Sequence, residues 1–220
     1  MSTLKITVLG GTGYAGSAIA REAVARGHAV TSVSRSLPAD DARIEGVDYR
    51  TGTMTDPDSR RSSVVGADVV ISALFPRGEL AGNLAEVDAE LARAAAAAGA
   101  RFGVVGGFSA LRTEPGGPRM AEQGDLGMPP EFVAVVKEMM AVLQKLETLE
   151  PGIDWFYASP AAQFGSHVPG EARGEYRVGG DVALFDAEGV SAISGADYAS
   201  AVLDEIEQPR VHRAEFGVAY

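Results

Sequence analysis

A short β-branched run over residues 4–9 ends in Gly10-Gly11. From Tyr14 to Arg26, small and apolar residues then hold helical spacing until Gly27 closes the segment. Strand, glycine turn, helix is the most restrictive statement the chain makes. A strand that passes into a helix through glycines places backbone N–H groups, unshielded by side chains, at the helix N-terminus, where an anion is favoured. Gly11-Thr12-Gly13-Tyr14-Ala15-Gly16 fits G-x-G-x-x-G, but 27 glycines in 220 residues make a three-glycine match weak by itself. Its position directly after a strand and at the opening of a helix gives it weight as a dinucleotide pyrophosphate site; the alternative is an ordinary glycine turn.

The same alternation continues along the chain. Residues 29–33 and 47–49 read as strands, and Asp56-Pro57-Asp58 as a helix start with proline at the first helical position. Strands follow at 68–72, 102–105 and 154–158, separated by helices at 85–98 and 132–149. Continuous apolar strands alternating with helices predict a parallel sheet covered on both faces, an α/β doubly wound fold of Rossmann type. Beyond Pro160 short glycine-punctuated strands at 175–178 and 182–185 precede a helix at 196–206 and a last strand at 216–220, read as a small C-terminal substrate-side cap. No linker or repeat interrupts the chain, so residues 1–220 are taken as one domain.

Composition removes several classes. With 46% hydrophobic and 22% charged residues the chain has material for one packed core. There is no cysteine, hence no disulfide, thiolate metal site or cysteine nucleophile, and His28, His167 and His212 lie at no metal-ligand spacing; no metal is expected. A net charge of −11 repels phosphate backbones and anionic membranes, so neither nucleic acid nor membrane is an expected partner. The apolar run after Met1 is too short for a signal peptide, and a cytoplasmic protein, monomer or homodimer, is expected. Gly107-Phe108-Ser109-Ala110-Leu111 lacks the closing glycine of a hydrolase nucleophile elbow.

Gly10-x-x-Gly13-x-x-Gly16, Arg35 after the second strand, Ile71-Ser72-Ala73 after the fourth, Val105-Gly106-Gly107 after the fifth and Ser159-Pro160 after the sixth occur in one order. Together with Asp197-Tyr198-Ala199 and the segment from Glu205 to Pro209, they make the chain similar, over essentially its whole length, to the atypical short-chain dehydrogenase/reductase superfamily, and within it to NmrA-like and NADH-flavin-reductase-like proteins. The resemblance implies cofactor contacts from Gly10, Thr12, Gly13, Tyr14, Ala15 and Gly16, from Ser72, Ala73 and Leu74, from Gly106 and Gly107, and from Tyr157, Ser159 and Pro160, although Tyr157 reads equally as core. In related proteins an Asp often follows the third strand near the adenine. Thr53 stands in that stretch here, which makes Thr53 and Met54 the expected adenine contacts.

Arg35 lies nineteen residues past Gly16, where an NAD enzyme carries an acid for the ribose 2′-hydroxyl. A guanidinium between Ser34 and Ser36 suits a 2′-phosphate instead, so NADP is expected and NAD is the alternative; the bland alternative is a solvated surface arginine. Reductases of this superfamily commonly place Tyr-x-x-x-Lys on the helix after the fifth strand. Counting back from Lys137, Val133 occupies the tyrosine position, and neighbouring Phe132 has no proton to give. Ser109 is expected at the nicotinamide end, with Lys137 either at the nicotinamide ribose or simply at the surface. Phe75, Phe108 and Met128 offer an apolar wall to a planar substrate.

Without a held acid, the expected activity is NAD(P)H-dependent hydride transfer to a flavin, quinone or similar planar acceptor. A non-catalytic NADP-binding sensor, and behind it an epimerase or dehydratase, are the alternatives. If Arg35 holds the 2′-phosphate, Arg35→Asp weakens NADPH relative to NADH by about tenfold or more in an equilibrium titration, the loss of one charge-assisted contact. An unchanged ratio assigns Arg35 to the solvated surface.

Overall fold

The computed structural model describes residues 2–123 and 130–220. The chain order is β1 (Lys5–Leu9), α1 (Tyr14–Ala25), β2 (Ala29–Ser34), β3 (Val47–Thr51), α2 (Pro57–Val64), β4 (Val69–Ser72), α3 (Leu84–Ala97), β5 (Arg101–Val105), α4 (Pro130–Glu147), β6 (Trp155–Pro160), β7 (Arg177–Val178), α5 (Gly195–Glu207) and β8 (Ala214–Ala219). The eight strands form one sheet in the order β3-β2-β1-β4-β5-β6-β8-β7. All neighbours are parallel except β7, which runs antiparallel to β8 at the edge. The chain winds outward from β1 to β3, returns to β4 on the other side and winds outward again. The crevice where the direction reverses therefore opens beyond the carboxyl ends of β1 and β4.

Strand residues alternate between two cores, as the two-residue period of a pleated strand requires. Leu9, Val70, Trp155 and Tyr157 pack under α3 and α4, whereas Ile6, Val8, Ile71, Phe156 and Phe216 pack under α1 and α5. Local signals set the helix starts. Asp56 caps α2 by accepting from the Ser59 N–H at 2.8 Å, with Pro57 at the first helical position. Ser194 caps α5 through the Asp197 N–H at 3.1 Å. Gly27, with φ +84°, stops α1.

The C-terminal portion differs from its sequence reading in two ways. The strand expected at 182–185 does not form: Val182 makes a single bridge to Arg112, whose Nε donates to Asp181 Oδ2 at 2.8 Å, and the main chain on either side is irregular. The strand expected at 175–178 shrinks to Arg177–Val178, because Gly179-Gly180 ends it. The helix and last strand expected in the cap belong to the main body, where α5 packs on α1 and β8 pairs with β6. What remains of the cap is the stretch 161–194, which carries β7.

One buried pair inside the first core has a thermodynamic consequence. Asp88 of α3 is 1% exposed and accepts from Ser72 Oγ at 2.7 Å. Burial pushes its carboxyl from the ordinary 3.8 up to about 7, only partly opposed by the Ser72 hydrogen bond. The folded state thus holds a proton that the unfolded chain releases near pH 4. This contribution to stability is full below pH 4 and is lost as the pH rises through about 7. Asp88→Asn keeps an acceptor for Ser72 and removes the titration. We expect the variant to be more stable than the parent at pH 8 by roughly 2–4 kcal/mol in urea unfolding, with the difference closing towards pH 4. A difference independent of pH contradicts the assignment.

Candidate functional site

The β1–α1 turn is shaped by backbone contacts that admit no side chains. Gly10 has φ +80°, donates its N–H to the Val33 carbonyl at 2.8 Å, and would place a Cβ 2.6 Å from the Ala73 carbonyl oxygen at the end of β4. A Cβ on Gly16 would meet the Gly10 carbonyl oxygen and come within 2.9 Å of Gly11 Cα, so the first turn of α1 lies directly on the glycine turn. A Cβ on Gly11 would strike the buried Ser32 Oγ. Gly13 is different: its Cβ would touch only the Gly10 carbonyl oxygen, at 3.4 Å, and otherwise face open space.

That open side is the N-terminus of α1. Unlike α2 and α5, α1 has no side-chain cap, and its first turn carries no acid. Among the described residues its first N–H groups have no side-chain acceptor, and the first turn adds no negative charge, an arrangement that fits a pyrophosphate. Thr12 Oγ1 donates to Ser34 Oγ at 3.1 Å, tying the turn to the end of β2. Tyr14 turns its side chain the other way: its hydroxyl donates to the Pro169 carbonyl and accepts from the Gly195 N–H, which leaves only main chain at positions 14 and 15 for a ligand at the turn.

Past β2, Arg35 and Ser36 are exposed, and no acid occurs between Ser34 and Pro38. One Arg35 nitrogen, Nη1, lies 3.4 Å from where a Cβ of Gly78 would stand, so the loop after β4 runs beside the guanidinium. Thr53 sits in that neighbourhood and bonds Glu79 of the same loop. Met54 does not stay with it: the side chain is buried in the first core, so an adenine contact from Met54 is limited to its main chain.

At the opposite end of the crevice several expected contacts point inward. Ser72 is committed to Asp88. Tyr157 is fully buried beneath Gly106, whose Cβ would collide with its ring, and its hydroxyl donates to the Met139 carbonyl at 3.1 Å. Burial, followed by the nearby Glu215 and Asp88 carboxylates, holds the Tyr157 hydroxyl well above its ordinary value of 10. Ser159 donates to Glu215 Oε1 at 2.6 Å, Glu215 Oε2 accepts from Arg119 at 2.7 Å, and Arg119 also donates to the Ala110 carbonyl. Burial raises the Glu215 carboxyl against the opposing pull of Ser159 and Arg119. Pro160 is buried as well. These residues brace the rim from below, and any cofactor contact at 72 or 157–160 comes from main chain.

Above them the rim is formed by Ala73 and Leu74, by the Gly106-Gly107 turn, and by the 3-10 turn Phe108–Ala110 with the half-buried Ser109. Phe108 packs edge-on against Phe185 with ring centroids 6.1 Å apart, so the stretch 161–194 does reach the expected substrate side. Phe75 is exposed with the Arg77 guanidinium 5.3 Å over its ring. Met128 lies outside the described residues. Val133 and Lys137 are exposed one turn apart on α4. Phe185, Glu79 and the Arg119–Glu215 pair escaped the sequence reading. Only Glu215 left a signal, an acid inside the apolar strand Ala214–Ala219. Among the described residues, no three His, Asp or Glu side chains gather to hold a metal ion, and no helix is long and apolar enough to cross a membrane.

The chain is similar in structure to a proposed exported protein of Burkholderia pseudomallei, with 37% identity, TM-score 0.84 and coverage of 99% of this chain and 100% of that one. A proposed epimerase of Bacteroides thetaiotaomicron gives 32% identity and TM-score 0.86, covering 100% and 98%. A proposed NADH-flavin reductase of Streptococcus pneumoniae gives 28% and 0.81, covering 98% and 99%. The sequence model of the NAD(P)H-binding family matches residues 10–209, from the first glycine of the turn to just past α5. With that match spanning the turn, the crevice and both wings of the sheet, the chain belongs to the NAD(P)H-binding family.

Proposed function

We propose that this protein is an NADPH-dependent oxidoreductase that passes hydride to a planar acceptor of the flavin or quinone class. The observation that carries the reading is the uncapped, glycine-lined N-terminus of α1 with the exposed Arg35 beside it, on a β2 loop that carries no acid between Ser34 and Pro38. When bound, the dinucleotide supplies the hydride from its nicotinamide ring. The first-turn N–H groups of α1 face its pyrophosphate, and Arg35 with Ser34 and Ser36 meets the 2′-phosphate. Ala73, Leu74 and the Gly106-Gly107 main chain line the nicotinamide half. Ser109 orients the acceptor against Phe108 and Phe185.

The choice of acceptor follows from proton supply. Reducing a ketone leaves an alkoxide that needs a positioned acid, typically worth about 10²–10⁴ in rate. Tyr157 is held inward with its proton bound more tightly than usual, and Val133 and Phe132 have none to give. A reduced flavin or quinone takes its proton from water. The similarity to a proposed NADH-flavin reductase supports this class, and the same lack of an acid favours, as the second reading, an NADP-binding sensor without turnover.

Two experiments test this reading. Gly13→Val adds bulk only at the open face of the turn. It should leave the melting temperature nearly unchanged and abolish NADPH binding, whereas Gly16→Ala should destabilise the fold by about 1–3 kcal/mol through its collision with Gly10 and Gly11. Retained NADPH binding in Gly13→Val refutes the placement of the pyrophosphate. In a steady-state panel with NADPH, flavins and quinones should turn over and simple ketones should not, and Ser109→Ala should slow turnover by about fivefold, one hydrogen bond. Efficient ketone reduction contradicts the proton argument; tight NADPH binding with no acceptor reduced points to the sensor.

A further inference from the structure

Glu79 stands in the loop after β4, yet two hydroxyls from the loop after β3 hold it in place. Thr53 Oγ1 and Thr55 Oγ1 each donate to Glu79 Oε2 at 3.1 Å, and the two hydroxyls are 3.0 Å from each other. Among the described residues Glu79 Oε1 has no hydrogen-bond partner, and the side chain is exposed. Gly78, its neighbour, lies against the Arg35 guanidinium. The loop after β4 thereby crosses the carboxyl ends of β1 and β2 and delivers a fixed carboxylate to the far side of Arg35.

Resting on the cofactor reading above, we infer that Glu79 is the residue that selects adenine as the base of the dinucleotide, by accepting a hydrogen bond from its 6-amino group. The argument is one of placement and donor chemistry. A dinucleotide whose pyrophosphate lies on α1 and whose 2′-phosphate lies on Arg35 extends its base beyond Arg35, towards the ends of β2 and β3. That region is where Thr53, Thr55 and Glu79 meet. A carboxylate only accepts, and with one oxygen saturated by the two threonines its orientation is fixed and the other oxygen is left for an external donor. Adenine offers an amino donor at C6, whereas a 6-oxo purine offers an acceptor there and meets the carboxylate lone pair to lone pair. Thr53 thus acts as a positioning residue and not as the adenine contact itself. Arg35 decides between NADPH and NADH, and Glu79 decides the base, so the two selections are separable.

The test measures dissociation constants of the purified protein, by quenching of its fluorescence, for NADPH and for deamino-NADPH, which carries hypoxanthine in place of adenine. The parent protein should prefer NADPH by about tenfold, one good base-edge hydrogen bond and the avoided repulsion. Glu79→Gln, whose amide both donates and accepts, should bring the two constants to within about twofold, and Thr53→Val with Thr55→Val should reduce the preference while Glu79 is retained. The ratio of NADPH to NADH should stay unchanged in both variants. Equal binding of both dinucleotides by the parent, or an undiminished preference in Glu79→Gln, overturns the assignment of Glu79 while leaving the cofactor reading intact. Tighter binding of both dinucleotides by Glu79→Gln at a constant ratio also overturns it, since Glu79 then acts only as a charge near the phosphate. If the parent binds neither, the cofactor reading and this inference fall together.

Discussion

The contact on which the rest of the site depends is the approach of the Gly10 backbone to the carbonyl of Ala73, where β1 and β4 part. A Cβ at position 10 would stand 2.6 Å from that oxygen, so the turn closes only with glycine there, in the left-handed region that favours it. Once the turn is that tight, α1 starts immediately above the strand end and can rest on it only if position 16 also lacks a side chain. The uncapped N–H groups of α1 then point over the crevice that the reversal of strand order has opened. Topology and local geometry meet at one place, and an anion at the helix N-terminus satisfies donors that the chain itself leaves without a side-chain partner.

A second layer lies beneath the rim. Ser72 bonds Asp88, Ser159 bonds Glu215, Arg119 joins Glu215 to the Ala110 carbonyl, and Tyr157 bonds the Met139 carbonyl under the Gly106 turn. Buried polar groups need partners, and each of these has one. Their arrangement fixes the ends of β4 and β6 relative to α3, α4, β8 and the 3-10 turn Phe108–Ala110, but it withdraws their side chains from the crevice. In the function we propose, chemistry at the nicotinamide end is consequently left to main chain, to Ser109, and to the apolar contacts of Phe108 and Phe185. That division explains why the acceptor, and not an enzyme-held acid, governs the reaction we propose.

Periodicity and punctuation made much of the fold legible in the sequence. The alternation of apolar runs with helical spacing located β1 to β6 and the helices between them, and Asp56-Pro57 and Gly27 marked true helix boundaries, because those signals are local. The stretch 161–194 was not legible. Its apolar pairs at 182–185 resemble a strand, while the partner that bonds them, Arg112, is about seventy residues away and bonds through a side chain as well as main chain. In the site, the positions of the glycine turn at the end of β1 and of Arg35 at the end of β2 were readable because they follow from spacing along one βαβ unit. The direction of Ser72, Tyr157 and Ser159 was not, since a residue at a strand end faces core or crevice according to its neighbours in the sheet. Glu79 was hidden for a related reason: it reaches its threonines across two strands.

In the function we propose, the β1–α1 turn and Arg35 form one binding site for a 2′-phosphorylated dinucleotide. Calorimetric titration of the unmodified protein with NADPH and with NADH under identical salt tests it most directly. The account predicts one site per chain and binding of NADPH tighter than NADH by about tenfold or more, the worth of a charge-assisted contact to the phosphate. Equal affinities for the two, or no heat of binding with either, would contradict it.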